Sequence, residues 1–268
     1  MNTGSTDKFT SERVTHVQTW VPGKLFSFRL SRHAGLRFTP GQFLRLGVNR
    51  ILAGKPDEIA WRAYSVVSAD YAEHLEFFSI VVPGGEFTSE LVRLQPGDTV
   101  HVDRQPFGFL TTARFQGGSE LWLLSSGTGL APFLSILADP QVWQQYDRIV
   151  LVHCVRESRE LVYQDLIHGF THDPLLSELC KFHDNHLIYI PVVTREPSFG
   201  GLHKRLPELI RSGELESAAG LPLDHDRSRI MICGNPEMVD DVRKALGERG
   251  FRTSRKSSPG QIAVENYW

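Results

Sequence analysis

The sequence predicts two domains of different class. Residues 1–114 read as a six-stranded antiparallel β-barrel, and residues 115–268 as an α/β domain built on a parallel sheet. Three observations carry this. Up to residue 114, short runs alternate apolar with polar residues and are separated by Pro-Gly turns, the pattern of half-buried antiparallel strands. After "RFQGG" the apolar runs become continuous and each is followed by a helical pattern, as parallel strands covered on both faces require. A chain of 268 residues is long enough to bury two cores.

The barrel strands are taken in order from "VTHVQTW", "LFSFRL", "QFLRLGV", "AYSVVS", "LEFFSIVV" and "TVHVDR". The turns Pro22-Gly23, Pro40-Gly41, Pro83-Gly84 and Pro96-Gly97 punctuate them, and one helix is expected over Thr88–Leu94. The second domain opens with "LWLLSSG" and continues through "IVLVHCV", "LIYIPVV" and "IMICG", each four to eight residues long as buried strands are. There is no internal repeat and no low-complexity tract.

Composition narrows the function. The chain is 41% hydrophobic and 22% charged, with a formal net charge of -2, which argues against a nucleic-acid protein and its basic excess. No apolar run approaches the roughly 20 residues of a membrane span. The polar start "MNTGSTDKFTSERV" lacks an apolar signal core, so export is not expected. The three cysteines, Cys154, Cys180 and Cys233, form no CxxC pair and cannot supply the four ligands of an iron–sulfur cluster. A reduced cytoplasmic setting fits these features.

The chemistry-bearing motifs lie at the ends of strands. In "LWLLSSGTGLAPFLSIL" a buried strand runs into Gly127-Thr128-Gly129 and then a helix carrying Pro132 in its first turn. Glycines allow a tight turn and a close ligand approach, and a helix start offers N–H groups to a pyrophosphate. Taken alone, the stretch also suits a βα turn without a ligand, since GxG is a weak signal and no GKS or GKT follows. In "WRAYSVVS", Arg62 and Tyr64 share a strand face with Ser65 next in line, a contact set for an anion and a ring; alone, it also reads as an ordinary half-buried strand. Arg156, Arg195 and Arg205 follow strand ends, where open parallel sheets hold their ligands. As a group they suit the 2′-phosphate of NADP, whereas NAD would call for an acidic residue on the ribose. His183 and His186 have HxxH spacing but read as a loop pair, and no GxSxG elbow occurs. The chain ends on "AVENYW", two large aromatics that either finish a core or lie against something flat.

The combination of "RAYS", "GTGLAPFLSIL", "VVTRE", "CGNPEM" and "ENYW", in this order from Val14 to Trp268, resembles the bacterial ferredoxin/flavodoxin–NADP+ reductases. The resemblance implies an FAD-binding barrel, an NADP-binding α/β domain, and hydride passage from NADPH to flavin followed by single electrons to a ferredoxin or flavodoxin. It implies that Arg62 contacts the FAD pyrophosphate, that Tyr64 lies against the isoalloxazine and that Ser65 hydrogen-bonds near flavin N5, with Ala63 between them. Phe78, Ser79, Ile80 and Val81 of the following strand, Glu86, Phe87 and Thr88 of "EFTS", and Thr128 complete the FAD set. Tyr267 would cover the flavin face that nicotinamide must reach, and Trp268 would stack on the adenine. Gly127, Gly129, Arg156, Thr194, Arg195, Arg205, Gly234, Asn235 and Glu237 form the implied NADP set. Ser65, Tyr64, Glu265 and Cys233 are the implied catalytic group, with Ser65 and Glu265 handling protons and Cys233 against the nicotinamide. A thiol that ends a buried strand is equally a structural one. After "RAYS" the chain reads "VVSAD" where the family often has an Asn-Ser-Pro turn.

The resemblance further implies a monomer with no nucleic-acid or membrane partner. Two other readings remain: an NAD(P)H-dependent flavin reductase, against which the returning "ENYW" argues, and a non-enzymatic FAD-binding electron-transfer subunit, against which the three arginines argue.

Overall fold

The structure, a computed structural model, describes residues 8–179, 186–197, 199–255 and 257–266. The chain divides into two compact units, Met1–Gly108 and Phe109–Trp268.

The first unit holds β1 (Phe9–Val21), β2 (Leu25–Ser31), β3 (Phe43–Arg50), β4 (Lys55–Ser65), β5 (His74–Ile80), α1 (Glu86–Leu91) and β6 (Thr99–Asp103). They form one six-stranded antiparallel sheet in the order β4-β3-β6-β1-β2-β5. The sheet curls until its edges touch. Just past β4, Val66 bridges Phe77 of β5, and the Val67 N–H donates to the Glu76 carbonyl at 2.8 Å. The inward residues of the alternation fill the interior: Phe26, Phe28 and Leu30 on β2, Leu44, Leu46 and Val48 on β3, Val100 and Val102 on β6. Each such side chain contributes about 1.5–3 kcal/mol on burial, and this holds a small barrel closed.

The helix expected over Thr88–Leu94 is instead α1 over Glu86–Leu91. Gly85 is extended (φ -74°, ψ 115°) and starts the helix early, while the Thr88 hydroxyl accepts from the Val82 N–H at 3.1 Å and ties the preceding loop down. Past Leu91 the chain tightens into i→i+3 turns, Arg93 N–H to the Glu90 carbonyl (3.1 Å) and Leu94 N–H to the Leu91 carbonyl (3.2 Å).

The second unit runs β7 (Glu120–Ser126), a 3-10 turn (Gly127–Leu130), α2 (Ala131–Leu137), α3 (Pro140–Gln145), β8 (Arg148–Val155), α4 (Gln164–Gly169), α5 (Pro174–Leu179) and β9 (Leu187–Val193). It continues through α6 (Leu206–Ser212), α7 (Glu214–Ala219), β10 (Ser228–Gly234), α8 (Pro236–Glu248) and β11 (Ile262–Asn266). The five strands are parallel in the order β11-β10-β7-β8-β9. One sheet face, with Trp122, Leu124, Val150, Val152, Ile230 and Ile232, packs on Leu206, Leu209 and Ile210 of α6 and Val239, Val242 and Leu246 of α8. All seven residues of α2 are buried. The chain goes outward from β7 to β8 and β9, then returns to add β10 and β11 on the other side. That reversal falls between β7 and β10, and open α/β sheets bind ligands outside the carboxyl ends of the strands at such a point.

Candidate functional site

In the β-unit the site residues gather where β4, β5 and α1 come together. Tyr64 pairs in register with Leu44 and Ser65 with Phe43, so successive side chains of β4 go to opposite faces. The Tyr64 ring sits at 5.7 Å from Phe87 of α1, 6.4 Å from Phe77 and 6.5 Å from Phe28. Its hydroxyl shares a hydrogen bond with Ser79 Oγ at 3.1 Å. Burial pushes the phenol up to about 12, against the opposing pull of the Ser79 bond and the Arg62 charge, so the ring stays neutral and fixed. Ser65 is buried at 2% exposure, while Arg62 and Ala63 are exposed, Arg62 donating through Nη1 to the Trp61 carbonyl at 2.8 Å.

On β5, Phe78 and Ser79 are buried and Ile80 is exposed, with Val81 half-buried just beyond. Phe87 and Thr88 are buried, and the Thr88 hydroxyl is engaged within its own loop, bonding Val82. What α1 can still offer a phosphate is its first-turn N–H groups, which have no intrahelical acceptor. Glu86 is exposed and paired with Arg50, whose Nη2 lies 2.9 Å from Oε2. Arg62, a flat ring, a buried hydroxyl and a helix start make a donor set that fits a dinucleotide with an aromatic head.

In the α/β unit the carboxyl ends of β7 and β10 are brought together by close backbone approach. A Cβ on Gly129 would run into the Cys233 carbonyl, and a Cβ on Gly234 into Ser126 Oγ, so only glycine lets the β7 turn and the end of β10 come together. The Ser126 hydroxyl accepts from the Asn235 N–H at 3.1 Å and ties the two strand ends. Asn235 caps α8, its Oδ1 accepting from the Glu237 N–H at 3.0 Å and the Met238 N–H at 3.3 Å. Glu237 is exposed in the first turn of that helix, where its charge complements the dipole. Gly127, with φ of 53°, has open space where a side chain would stand, and Thr128 is half-buried beside it.

Two strands away, the Arg195 N–H donates to the Arg156 carbonyl at 2.9 Å and the Thr194 N–H to the Val155 carbonyl at 3.0 Å. This pairing carries β8 and β9 one step further and sets two exposed arginines side by side. Arg205 is the exposed N-cap of α6, and Leu202, three residues before it, bridges Val192 of β9. Glu265 is half-buried on β11, opposite Cys233 in register. The Cys233 side chain is fully buried, and its carbonyl packs against Gly129, which suits a structural thiol. Tyr267 and Trp268 lie outside the described residues, as does His183. His186 is buried, its Nε2 on the Tyr146 carbonyl at 2.7 Å and its ring edge-on to Trp143.

Sequence reasoning missed Ser126 as the tie between strand ends, Ser79 as the partner of Tyr64, and the buried His153 on β8. Ser126 had a signal, a hydroxyl directly before GTG.

A barrel with an Arg-x-Tyr-Ser strand and an α/β sheet with glycines at its strand ends and adjacent arginines together define a two-domain oxidoreductase of the flavin and nicotinamide-dinucleotide class. Residues 19–110 match the oxidoreductase FAD-binding domain family, and residues 123–244 match the oxidoreductase NAD-binding domain family. The chain is 43% identical over 256 residues to a ferredoxin–NADP reductase of Azotobacter vinelandii, covering 95% of each chain. It is 39% identical over 258 residues to a flavodoxin/ferredoxin–NADP reductase of Escherichia coli, covering 96% of this chain and 97% of the other. The crystal structure of a ferredoxin NADP+ reductase from Neisseria gonorrhoeae with bound FAD and NADP matches with a TM-score of 0.86 at 39% identity, over 97% of this chain and 99% of that one. The chain belongs to the ferredoxin–NADP reductase family.

Proposed function

We propose that this chain is an FAD-dependent reductase that takes electrons from NADPH and delivers them singly, and reversibly, to a small ferredoxin or flavodoxin. The observation that carries the choice of NADPH is the Arg195–Arg156 backbone pairing at 2.9 Å, which groups two guanidinium-bearing residues at the carboxyl ends of neighbouring strands. Paired arginines suit a 2′-phosphate dianion through forked, charge-assisted hydrogen bonds. Thr194 and Arg205 join them in this reading, while Gly127, Gly129, Gly234, Asn235 and Glu237 receive the pyrophosphate and nicotinamide end, and Thr128, of the FAD set, sits where nicotinamide and flavin meet. The close approach of the β7 turn and the end of β10, which a Cβ on Gly129 or Gly234 would block, supports that assignment.

We assign FAD to residues 1–114 and NADP(H) to residues 115–268. In the first, Arg62 balances the pyrophosphate charge, Tyr64 gives a rigid ring for the flavin to lie on, and Ser65 holds a hydroxyl at the reacting edge. Ala63, Phe78, Ser79, Ile80, Val81, Glu86, Phe87 and Thr88 complete the contact, with Tyr267 and Trp268 assigned to the flavin face and the adenine. Glu265 is the proton-handling carboxylate, and Cys233 packs at the nicotinamide end. When bound, FAD supplies the exchange between a two-electron hydride and single electrons. The chain's own task is alignment: rigid rings, a fixed hydroxyl and arginines that anchor the remote end of the nucleotide.

Among the described residues no helix is long and apolar enough to cross a membrane. We place the protein in the cytoplasm as a monomer, since one chain carries both cofactor sets. The test is reduction of purified ferredoxin and flavodoxin from the source organism under NADPH. Turnover with either carrier supports the reading. Turnover with free flavin alone favours a flavin reductase, and no turnover with any acceptor favours an FAD-binding electron-transfer subunit.

A further inference from the structure

His153 lies within β8, level with Ser125 of β7 and Pro191 of β9, and is fully buried. Neither ring nitrogen has a hydrogen-bond partner among the described residues. Its sheet neighbour Ser125 is already committed, the hydroxyl donating to the Val152 carbonyl at 2.7 Å. A buried polar group without a partner is costly, and such groups mark places where a structure keeps a bond in reserve. Burial brings the imidazole down to about 4, so it is neutral at working pH and holds one N–H and one lone pair. Among the described residues, the backbone group that acts on it is that of Gly127, in the direction of a carbonyl favouring the protonated ring, without completing a hydrogen bond. Gly127 opens the turn that runs into α2, and a side chain added there would meet no atom within 4 Å.

We propose that His153 is a positioning residue of the nucleotide-binding turn, its ring N–H completing a hydrogen bond to the Gly127 carbonyl when NADP(H) seats on Gly127–Gly129. This rests on the reading of that turn as the nucleotide site. Part of the nucleotide's affinity then comes from satisfying a buried donor that the free protein leaves unmade, and Thr128 is brought to one position by a group that never touches the nucleotide.

The experiment has two arms on FAD-loaded, full-length protein, with NADP+ as the probe. In the first, the protein is uniformly 15N-labelled, and the His153 ring signals and the Thr128 amide are followed by NMR as NADP+ is added. The expected result is a downfield shift and slower exchange of one His153 N–H together with a shift of the Thr128 amide. A shifting Thr128 amide with an unmoved His153 ring overturns the proposal while leaving the nucleotide site intact. If NADP+ leaves every resonance unmoved, the site reading and the proposal fall together. In the second arm, NADP+ binding and thermal stability are measured for His153→Phe and His153→Gln. His153→Phe should weaken NADP+ binding about two- to tenfold, the worth of one neutral hydrogen bond, without lowering Tm, and His153→Gln, which keeps a donor, should recover part of the affinity. A His153→Phe protein that loses stability but binds NADP+ as the parent does would make His153 a packing residue and overturn the proposal.

Discussion

Arg62 and Ser65 stand on the same strand end, yet their substitutions should fail differently. Arg62→Ala removes the main counter-charge to two phosphates, and a charge-assisted hydrogen bond is worth about 1.5–3 kcal/mol, so FAD affinity should drop at least tenfold. The check is the FAD content of purified protein and its recovery on titration with FAD. Ser65→Ala deletes a hydroxyl held at 2% exposure and should keep FAD bound, while anaerobic bleaching of the flavin by NADPH slows on the order of a hundredfold. An unchanged bleaching rate would remove Ser65 from the reacting edge. Arg195→Ala addresses the other cofactor. The KM for NADPH should rise about tenfold or more with the NADH rate nearly unchanged, because only NADPH carries the 2′-phosphate. Equal losses with both nucleotides would show that Arg195 does not read that phosphate.

The turn after β7 can be tested glycine by glycine. Gly129→Ala forces a methyl into the Cys233 carbonyl, and backbone cannot move away as a flexible side chain can, so the β7 and β10 ends must part. A loss of about 1–3 kcal/mol is expected, read as a lowered Tm, together with weakened NADP+ binding. Gly127→Ala meets open space and pays only for a side chain at φ of 53°, about 1–2 kcal/mol. If Gly127→Ala weakened NADP+ binding more than Gly129→Ala did, the close approach of β7 and β10 would not be what shapes the nucleotide site. The start of α8 is set by the Asn235 side chain, and Asn235→Ala should cost about 0.5–2 kcal/mol of stability in a thermal melt.

At the scale of the whole molecule, His153 makes stability depend on pH. Its folded value lies near 4, below the usual value of about 6.5 for histidine, so the unfolded chain takes up the proton first. The contribution is complete above about pH 6.5 and is lost as pH falls from there to about 4, amounting to roughly 3 kcal/mol at most. In chemical denaturation, the stability difference between the parent and His153→Phe should therefore shift toward the variant over that range; a difference that is flat with pH would deny that the ring is buried neutral. The division into a barrel and an α/β unit was legible in the sequence because period-two alternation and continuous apolar runs record burial on one face or on two. The GTG turn and the strand-end arginines were legible because glycine and charge are unusual next to apolar strands. The bounds of α1 were not, since they depend on the extended Gly85 and on where the Thr88 hydroxyl finds its partner. Nor was His153, because a histidine in an apolar strand looks the same whether or not its nitrogens are satisfied. Cys233 illustrates the same limit, since the sequence shows a sulfur at a strand end and not that its side chain is fully buried. The central claim, one chain that holds FAD and draws on NADPH, is tested most directly by mixing the purified protein anaerobically with NADPH or NADH and following the flavin absorbance. A yellow protein with about one FAD per chain, bleached at least tenfold faster by NADPH than by NADH at equal subsaturating concentration, is the predicted result. A colourless protein that takes up no FAD, or equal bleaching by the two nucleotides, would contradict it.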